Sequence, residues 1–274
     1  MTAFKIPDAP RSIQKGVPLK SVLGRDAIEQ MATNFAMVDS RFDKKGFVQE
    51  SLDGLEPLGI KDRANHIASA MRTYLPSSFK EAAHLIESCL SPELERTEDN
   101  GLAPMFYMPH CAYVHDYGTE KQNFETSIQL QYELTKRFTC EFSIRPFIQL
   151  YEEETLAVMY EWMKDPNPHI RRLCSEGTRP RLPWASKIDS FVADPSPVIP
   201  ILEYLKDDED LYVRRSVANH VGDIAKDHIN TAMDLCESWL NGASKERKWV
   251  IRHAVRNPFK KGNTRAIELR KLAK

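Results

Sequence analysis

The chain has 274 residues, 42% of them hydrophobic and 28% charged, which is the composition of an ordinary globular protein and argues against disorder as its main state. Eleven glycines leave little material for a glycine-rich phosphate loop, and no apolar run approaches the ~18 residues that a membrane-spanning helix needs. The N-terminus carries no secretory signal pattern, so we expect a cytoplasmic protein without a membrane partner.

The charge is unevenly distributed along the chain. The formal net charge is −1, yet residues 245–274 hold eleven Lys and Arg against two Glu, a net of +9, which leaves −10 for residues 1–244. A basic end on a neutral protein indicates either an anionic partner that meets one part of the surface or a solvated basic tail.

Helical periodicity dominates the first half of the chain. Apolar residues recur at helical spacing in residues 60–75 and 120–138. Ser78 and Glu81 form a capping box that predicts a helix over residues 82–90. Because strand-like alternation is not sustained anywhere, the sequence predicts an all-α fold.

A repeat organises the second half. Residues 165–172 and 208–215 both read D-x4-[IV]-R-R, 43 residues apart, and weaker copies end at Arg137 and Arg252. Helix, short turn and helix with a period near 40 is typical of HEAT-like repeats. Such repeats stack into a curved solenoid with the second helices on its concave face. A non-repetitive helical bundle is the alternative.

The repeat places several charged residues on one face. The second arginines of the copies are Arg137, Arg172, Arg215 and Arg252. One helical turn later stand Glu141, Glu176, Asn219 and Arg256. Asp223 follows one turn beyond Asn219. Acidic groups that share a cleft repel each other, so their presence needs a reason.

These acidic residues have two possible interpretations, one structural and one functional. Asp165 and Asp208, in the turns between helices, are interpreted as structural partners of arginines. Glu141 and Asp223 stand in otherwise apolar stretches that we predict to be helical, and they are interpreted as functional. A loop after Gly177, where a helix is predicted to end, carries further candidates.

That loop contains Arg179, Arg181 and Trp184. A tryptophan near paired arginines suits a nucleic-acid backbone together with a base or sugar face. The alternative is a tryptophan packed under the loop, with the arginines solvated.

Three motifs carry a resemblance to a known family. They are TCEFSIRPF from Thr139, HIRRLCSEGTRPRLPWA from His169 and VRRSVANHVGDIAK from Val213. Over about residues 21–274 the chain resembles the AlkC branch of the AlkC/AlkD family of DNA-alkylation-repair glycosylases, which are built from HEAT-like repeats. The resemblance implies removal of N-alkylated bases from double-stranded DNA, typically 3-methyladenine and, in this branch, 3-methylcytosine.

The resemblance also implies the site. Matching motif positions place the catalytic-cleft residues on Glu141, Glu176, Trp184 and Asp223. We expect phosphate and DNA contacts from Arg172, Arg179, Arg181, Arg215, Arg252 and Arg256. Some family members carry an additional C-terminal immunoglobulin-like domain, which we do not expect here because few residues follow the last predicted helix. We therefore expect one domain, with an N-terminal helical cap over residues 1–119 and clearer repeats over 120–274.

No cofactor, metal or obligate protein partner is expected. Walker, Rossmann and HExxH patterns are absent, and five cysteines without a CxxC pair favour buried free thiols.

We expect Asp223 to stabilise an oxocarbenium-like sugar, with Trp184 holding the sugar or cationic base. Two alternatives remain open: a non-catalytic HEAT-repeat scaffold, and a protein of this fold that binds damaged DNA without activity.

Overall fold

The computed structural model describes residues 4–274, and every regular element in that range is a helix. The all-α prediction is therefore confirmed. The chain divides into two compact units, the first ending at Pro146 and the second running from Phe147 to Lys274. None of the helices between residues 4 and 274 has both the length and the apolar character that crossing a bilayer requires.

From residue 4 to residue 144, unit 1 contains six α-helices and three short 3-10 segments. The helices are α1 (Arg25–Val38), α2 (Lys44–Leu52), α3 (Ile60–Tyr74), α4 (Phe79–Ser88), α5 (Met108–Tyr117) and α6 (Phe124–Thr135). The 3-10 segments are Leu19–Leu23, Ala103–Tyr107 and Lys121–Asn123. The Ser78 side chain accepts a hydrogen bond from the Glu81 backbone N–H, which confirms Ser78 as the capping residue, and α4 begins three residues before the predicted stretch 82–90.

Unit 2 contains the repeats. The helix α7 (Arg145–Leu150) carries the boundary between the units. Beyond it lie α8 (Glu152–Trp162), α9 (Pro168–Gly177), α10 (Asp189–Ala193), α11 (Ile199–Leu205), α12 (Leu211–Ile224), α13 (Ile229–Ser238), α14 (Lys245–Ala254), α15 (Arg256–Lys260) and α16 (Thr264–Leu272), with a 3-10 segment at Ser196–Val198. α12 packs between α9 and α14.

The two strong repeats begin their second helices with the same hydrogen bonds. Asn167 accepts a bond from the His169 N–H at the start of α9, and Asp210, 43 residues later, accepts one from the Tyr212 N–H at the start of α12. These side-chain acceptors satisfy N–H groups that a helix start leaves unpaired. The sequence repeat is therefore also a repeat of local structure.

The first arginine of each pair folds back onto its own turn. Arg171 donates to the backbone carbonyls of Asp165 and Pro166, and Arg214 donates to those of Asp208 and Glu209. Carbonyls that would otherwise lack donors in these turns are thus satisfied.

One ion pair ties the two repeats together. Arg171 Nε and Nη2 contact the two carboxylate oxygens of Asp208 at 2.6 and 3.0 Å, and both side chains are almost fully buried. The hydrogen bond to the Asp208 carboxylate raises the pKa of Arg171, so the guanidinium keeps its charge at neutral pH. The structural interpretation of Asp208 is confirmed.

The weak copies depart from the helical pattern. Arg137 follows the end of α6, where its guanidinium contacts Glu133 at 2.9 Å, and residues 141–144 form a turn. The helix predicted to carry Glu141 is therefore wrong. α14 likewise ends before Arg256, so Arg252 and Arg256 belong to different helices.

Candidate active site

Glu176 lies in the last turn of α9, with its carboxylate buried. One oxygen accepts a hydrogen bond from Arg179 Nη1 at 2.7 Å and lies 3.6 Å from Arg172 Nη2, while the other accepts from the Ser216 hydroxyl at 2.7 Å. Burial alone would raise the pKa of Glu176, but the two arginines and the hydroxyl outweigh burial and lower it. The carboxylate is therefore ionised at neutral pH.

Asp223 lies in the last turn of α12 and is 3% exposed. A negative charge at a helix C-terminus is unfavourable, because the partial charge of that end is also negative. Two cations offset this cost: Arg179 Nε contacts Oδ2 and Lys226 Nζ contacts Oδ1, both at 2.7 Å.

Arg179 joins the two carboxylates. It follows α9 by two residues, is almost fully buried, and binds Glu176 from one helix and Asp223 from the next. A guanidinium suits this position because its donors form a rigid fork. Its contact with a DNA phosphate stays a prediction, whereas its contact with two carboxylates is a feature of the structure.

A buried polar layer supports this cluster. The Ser216 hydroxyl lies 3.1 Å from that of Ser175, and His220 Nδ1 lies 2.9 Å from the Ser175 carbonyl oxygen. Burial lowers the pKa of His220 to about 4, so the ring is neutral at pH 7. Nδ1 therefore carries the proton it donates to that carbonyl, and Nε2 is buried without a hydrogen-bond partner.

Arg256 lies at the edge of the same cluster. Its Nη2 donates to the Asn219 side-chain oxygen at 2.9 Å, and that oxygen is also 3.1 Å from His253 Nε2. The pKa of Arg256 is lowered, first by burial and then by the nearby charge of Arg179. The charges of Arg179 and Asp223 thus both act on Arg256, in opposite directions.

The remaining predicted DNA contacts differ in exposure. Arg215 is exposed and makes no hydrogen bond or ion pair with any residue from 4 to 274. Arg252 is half-buried and donates to the Ala273 carbonyl, and Arg172 stacks over the Tyr212 ring at 4.8 Å.

Trp184 is displayed to solvent by a constrained loop. Its side chain is 85% exposed, and its backbone adopts a φ of 64°, which costs energy for a residue with a Cβ. Arg181 ties the loop to Asp227 through two hydrogen bonds of 2.5 and 2.6 Å, and Leu182 is buried. The alternative of a tryptophan packed under the loop is therefore wrong.

The structure brings together predicted site residues that lie within unit 2. Glu176 and Asp223 share Arg179, and Trp184 follows Arg179 by five residues in the chain. Glu141 belongs to unit 1, and its convergence with the other three stays a prediction. The sequence analysis did not predict the roles of Ser216 and Lys226. The pairing of Lys226 could have been predicted, because it is a cation three residues after Asp223.

The prediction that the cysteines are buried free thiols is confirmed. All five cysteines are buried and free. Between residues 4 and 274, no three His, Cys, Asp or Glu side chains are grouped in a way that could hold a metal ion.

Stacked helical repeats with a buried carboxylate–arginine cluster define a HEAT-like-repeat protein. No family model matches the chain. A Bacillus subtilis (strain 168) protein, uncharacterized protein YhaZ, is 34% identical over 252 residues, which cover 92% of this chain and 67% of that relative. The solved structure of Pseudomonas fluorescens alkylpurine DNA glycosylase AlkC, bound to DNA containing an abasic site analog, is also 34% identical, with a TM-score of 0.82 over 93% of this chain and 68% of that one. The chain belongs to the AlkC/AlkD family, as an AlkC-like member.

Proposed function

We propose that the protein is a DNA glycosylase that hydrolyses the N-glycosidic bond of cationic N-alkylated bases in double-stranded DNA, with 3-methyladenine and 3-methylcytosine as substrates. The observation that carries this proposal is the likeness to an alkylpurine DNA glycosylase bound to DNA with an abasic site analog. An abasic site is what remains once the base has been released, which makes base excision repair the pathway that this reaction would start.

The reaction needs little general-acid catalysis of the departing base. A base alkylated on a ring nitrogen carries a positive charge and is already a good leaving group. As the glycosidic bond breaks, the sugar develops oxocarbenium character, which a carboxylate in a fixed position stabilises. We assign this role to Asp223, and the same carboxylate can orient the water that attacks the sugar.

The contacts around Asp223 support this assignment. Arg179 and Lys226 hold one carboxylate oxygen each, so the group is oriented before the reaction starts. Glu176, ionised and bound to the same Arg179, adds negative potential that favours a cationic base over a neutral one. Trp184, exposed on its loop, offers a ring face to the sugar or the cationic base.

A second candidate is a protein that binds alkylated DNA without releasing the base. The surroundings of Asp223 favour this second candidate, because the side chain is buried and both carboxylate oxygens already contact cations. Such a protein would still bind duplex DNA through its arginines.

Base release separates the two candidates. The protein is incubated with N-methylated duplex DNA, released bases are measured by chromatography, and affinity for the same duplex is measured in parallel, with unmethylated duplex as the control. We expect release of cationic methylated bases and no release from the control. Tight binding without release would favour the second candidate, and the absence of both would reject the two together.

A further inference from the structure

A recess in unit 2 lies next to the Asp223 cluster but was not part of the predicted site. It has a volume of about 610 Å³ and opens between the residues that follow α12 and the turn that joins α15 to α16. Lys226, Lys260 and Lys261 contribute to its lining, as do Asn257 and Asn263, and no acidic residue does. We call it the lysine recess.

Within residues 4–274, Lys260 and Lys261 of the lysine recess lack the carboxylate partners that three other cations in the basic end of the chain have. Arg247, Arg265 and Lys271 each pair with a carboxylate. Lys260 and Lys261 are exposed and make no hydrogen bond or ion pair with any residue from 4 to 274. The positive charge of residues 245–274 is therefore left unbalanced here, which is the condition that attracts an anion.

Lys226 connects the lysine recess to the catalytic carboxylate. Its Nζ contacts Asp223 Oδ1 at 2.7 Å, yet 48% of its side chain is exposed. An ammonium group has three donors, and Asp223 uses one of them. An anion in the recess can therefore bind the same nitrogen that holds Asp223.

We propose that the lysine recess binds one backbone phosphate of the DNA duplex and that Lys226 links this phosphate to Asp223. The proposal rests on the proposed function, because duplex DNA is the anion it names. A phosphodiester offers two unbridged oxygens, which suit ammonium and amide donors. When phosphate shares Lys226, the ammonium neutralises Asp223 less, so the carboxylate attracts the developing sugar cation more strongly.

The test removes charge from both partners. Single phosphates in a duplex with an abasic site analog are replaced one at a time by neutral methylphosphonates, and affinity is measured for wild type and for Lys260→Ala/Lys261→Ala. We expect one position where the replacement weakens wild-type binding about tenfold, a typical effect of losing a charged hydrogen bond. The double variant should bind the unmodified duplex correspondingly less tightly and show no further loss at that position.

A matched variant distinguishes a site from general attraction. Lys245→Ala/Lys274→Ala removes the same charge from the same basic segment outside the lysine recess. It should keep full sensitivity to the methylphosphonate. The slope of log affinity against log salt should become shallower in Lys260→Ala/Lys261→Ala, and the change should exceed that of the matched variant by about 1. Thermal melting of all three proteins checks that the exposed substitutions leave folding intact.

The outcomes separate this inference from the proposed function. Equal losses in both double variants, or unchanged methylphosphonate sensitivity in Lys260→Ala/Lys261→Ala, would overturn the phosphate site. Duplex binding without base release would reject the glycosylase activity and leave the test of the recess valid. A wild-type protein with no affinity for duplex DNA would overturn both.

Discussion

Two aspartates of unit 2 are almost equally buried and each binds an arginine, yet they belong to different kinds of cluster. Asp208 binds Arg171 through both oxygens, and Asp223 binds Arg179 through one. Asp208 has a counterpart 43 residues earlier, Asp165, in the same kind of turn. Asp165 and Asp208 each accept a hydrogen bond from the backbone N–H two residues later, so this part of the Asp208 cluster recurs in the repeat.

The Asp223 cluster has no counterpart in the repeat. A shift of 43 residues takes Glu176 to Asn219 and Arg179 to Gly222. Position 222 is closely packed, since a Cβ there would lie 3.3 Å from the Ala254 carbonyl oxygen. The turn aspartates and their backbone hydrogen bonds recur with the period, whereas the carboxylates around Arg179 do not, as expected of a site with its own chemistry.

The largest effect should come from removing the shared cation. Arg179→Ala leaves Glu176 and Asp223 buried without their common partner, and we expect a loss of about 3–5 kcal/mol in the free energy of unfolding. Arg171→Ala should destabilise to a similar degree by stranding Asp208. Only Arg179→Ala should also abolish base release per folded molecule.

Urea unfolding combined with single-turnover release, on the same preparations, measures both quantities. Loss of release in folded Arg171→Ala would erase the distinction between the two clusters.

The second effect concerns pH. Burial lowers the pKa of His220 to about 4, while the same ring titrates near 6.5 when unfolded. The unfolded chain therefore binds more protons between these values, so the stability that the neutral ring contributes is present above pH 6.5 and is lost as pH falls toward 4.

Replacing the ring isolates its share of this pH dependence. His220→Gln should make the free energy of unfolding depend less on pH between 6.5 and 4. His84→Gln, at an exposed position, should leave the dependence unchanged. Chemical unfolding across this range measures both, and parallel curves for wild type and His220→Gln would contradict the assignment of a neutral buried ring.

The smallest effect should come from substitutions of Trp184, which separate the backbone strain at this residue from the function of its side chain. Trp184 has a φ of 64° and little buried surface, so Trp184→Gly should be more stable than Trp184→Ala by about 1 kcal/mol, because only glycine adopts this conformation freely. Both variants should lose the aromatic contact and release bases more slowly. Equal melting temperatures of the two variants would show that the backbone is not strained there.

Local signals allowed much of the fold to be predicted. Helical spacing gave α3 over its full length, and the capping box at Ser78 marked the start of α4. The prediction around Glu141 was wrong because the copy at Arg137 has Leu130 where the strong copies have the turn aspartate, so no second helix starts there.

The candidate site was harder to predict than the fold. The repeat pattern predicts that Glu176 and Asp223 lie on corresponding faces of α9 and α12. The role of Arg179 could not be predicted, because it depends on partners 3 and 44 residues away and on the path of the chain after α9. The lysine recess depends on two turns that no periodic signal describes. The exposure of Trp184 likewise follows from its loop and not from its sequence neighbours.

The most direct test of the account compares two matched substitutions, Asp223→Asn and Asp208→Asn. Each keeps the size of a buried aspartate and removes the charge that faces an arginine, so both should lower the melting temperature. Single-turnover release of 3-methyladenine, expressed per folded molecule, should fall ~10²–10³-fold in Asp223→Asn and stay near wild type in Asp208→Asn. Normal release by folded Asp223→Asn would contradict the account, because Asp223 would then be a structural residue like Asp208.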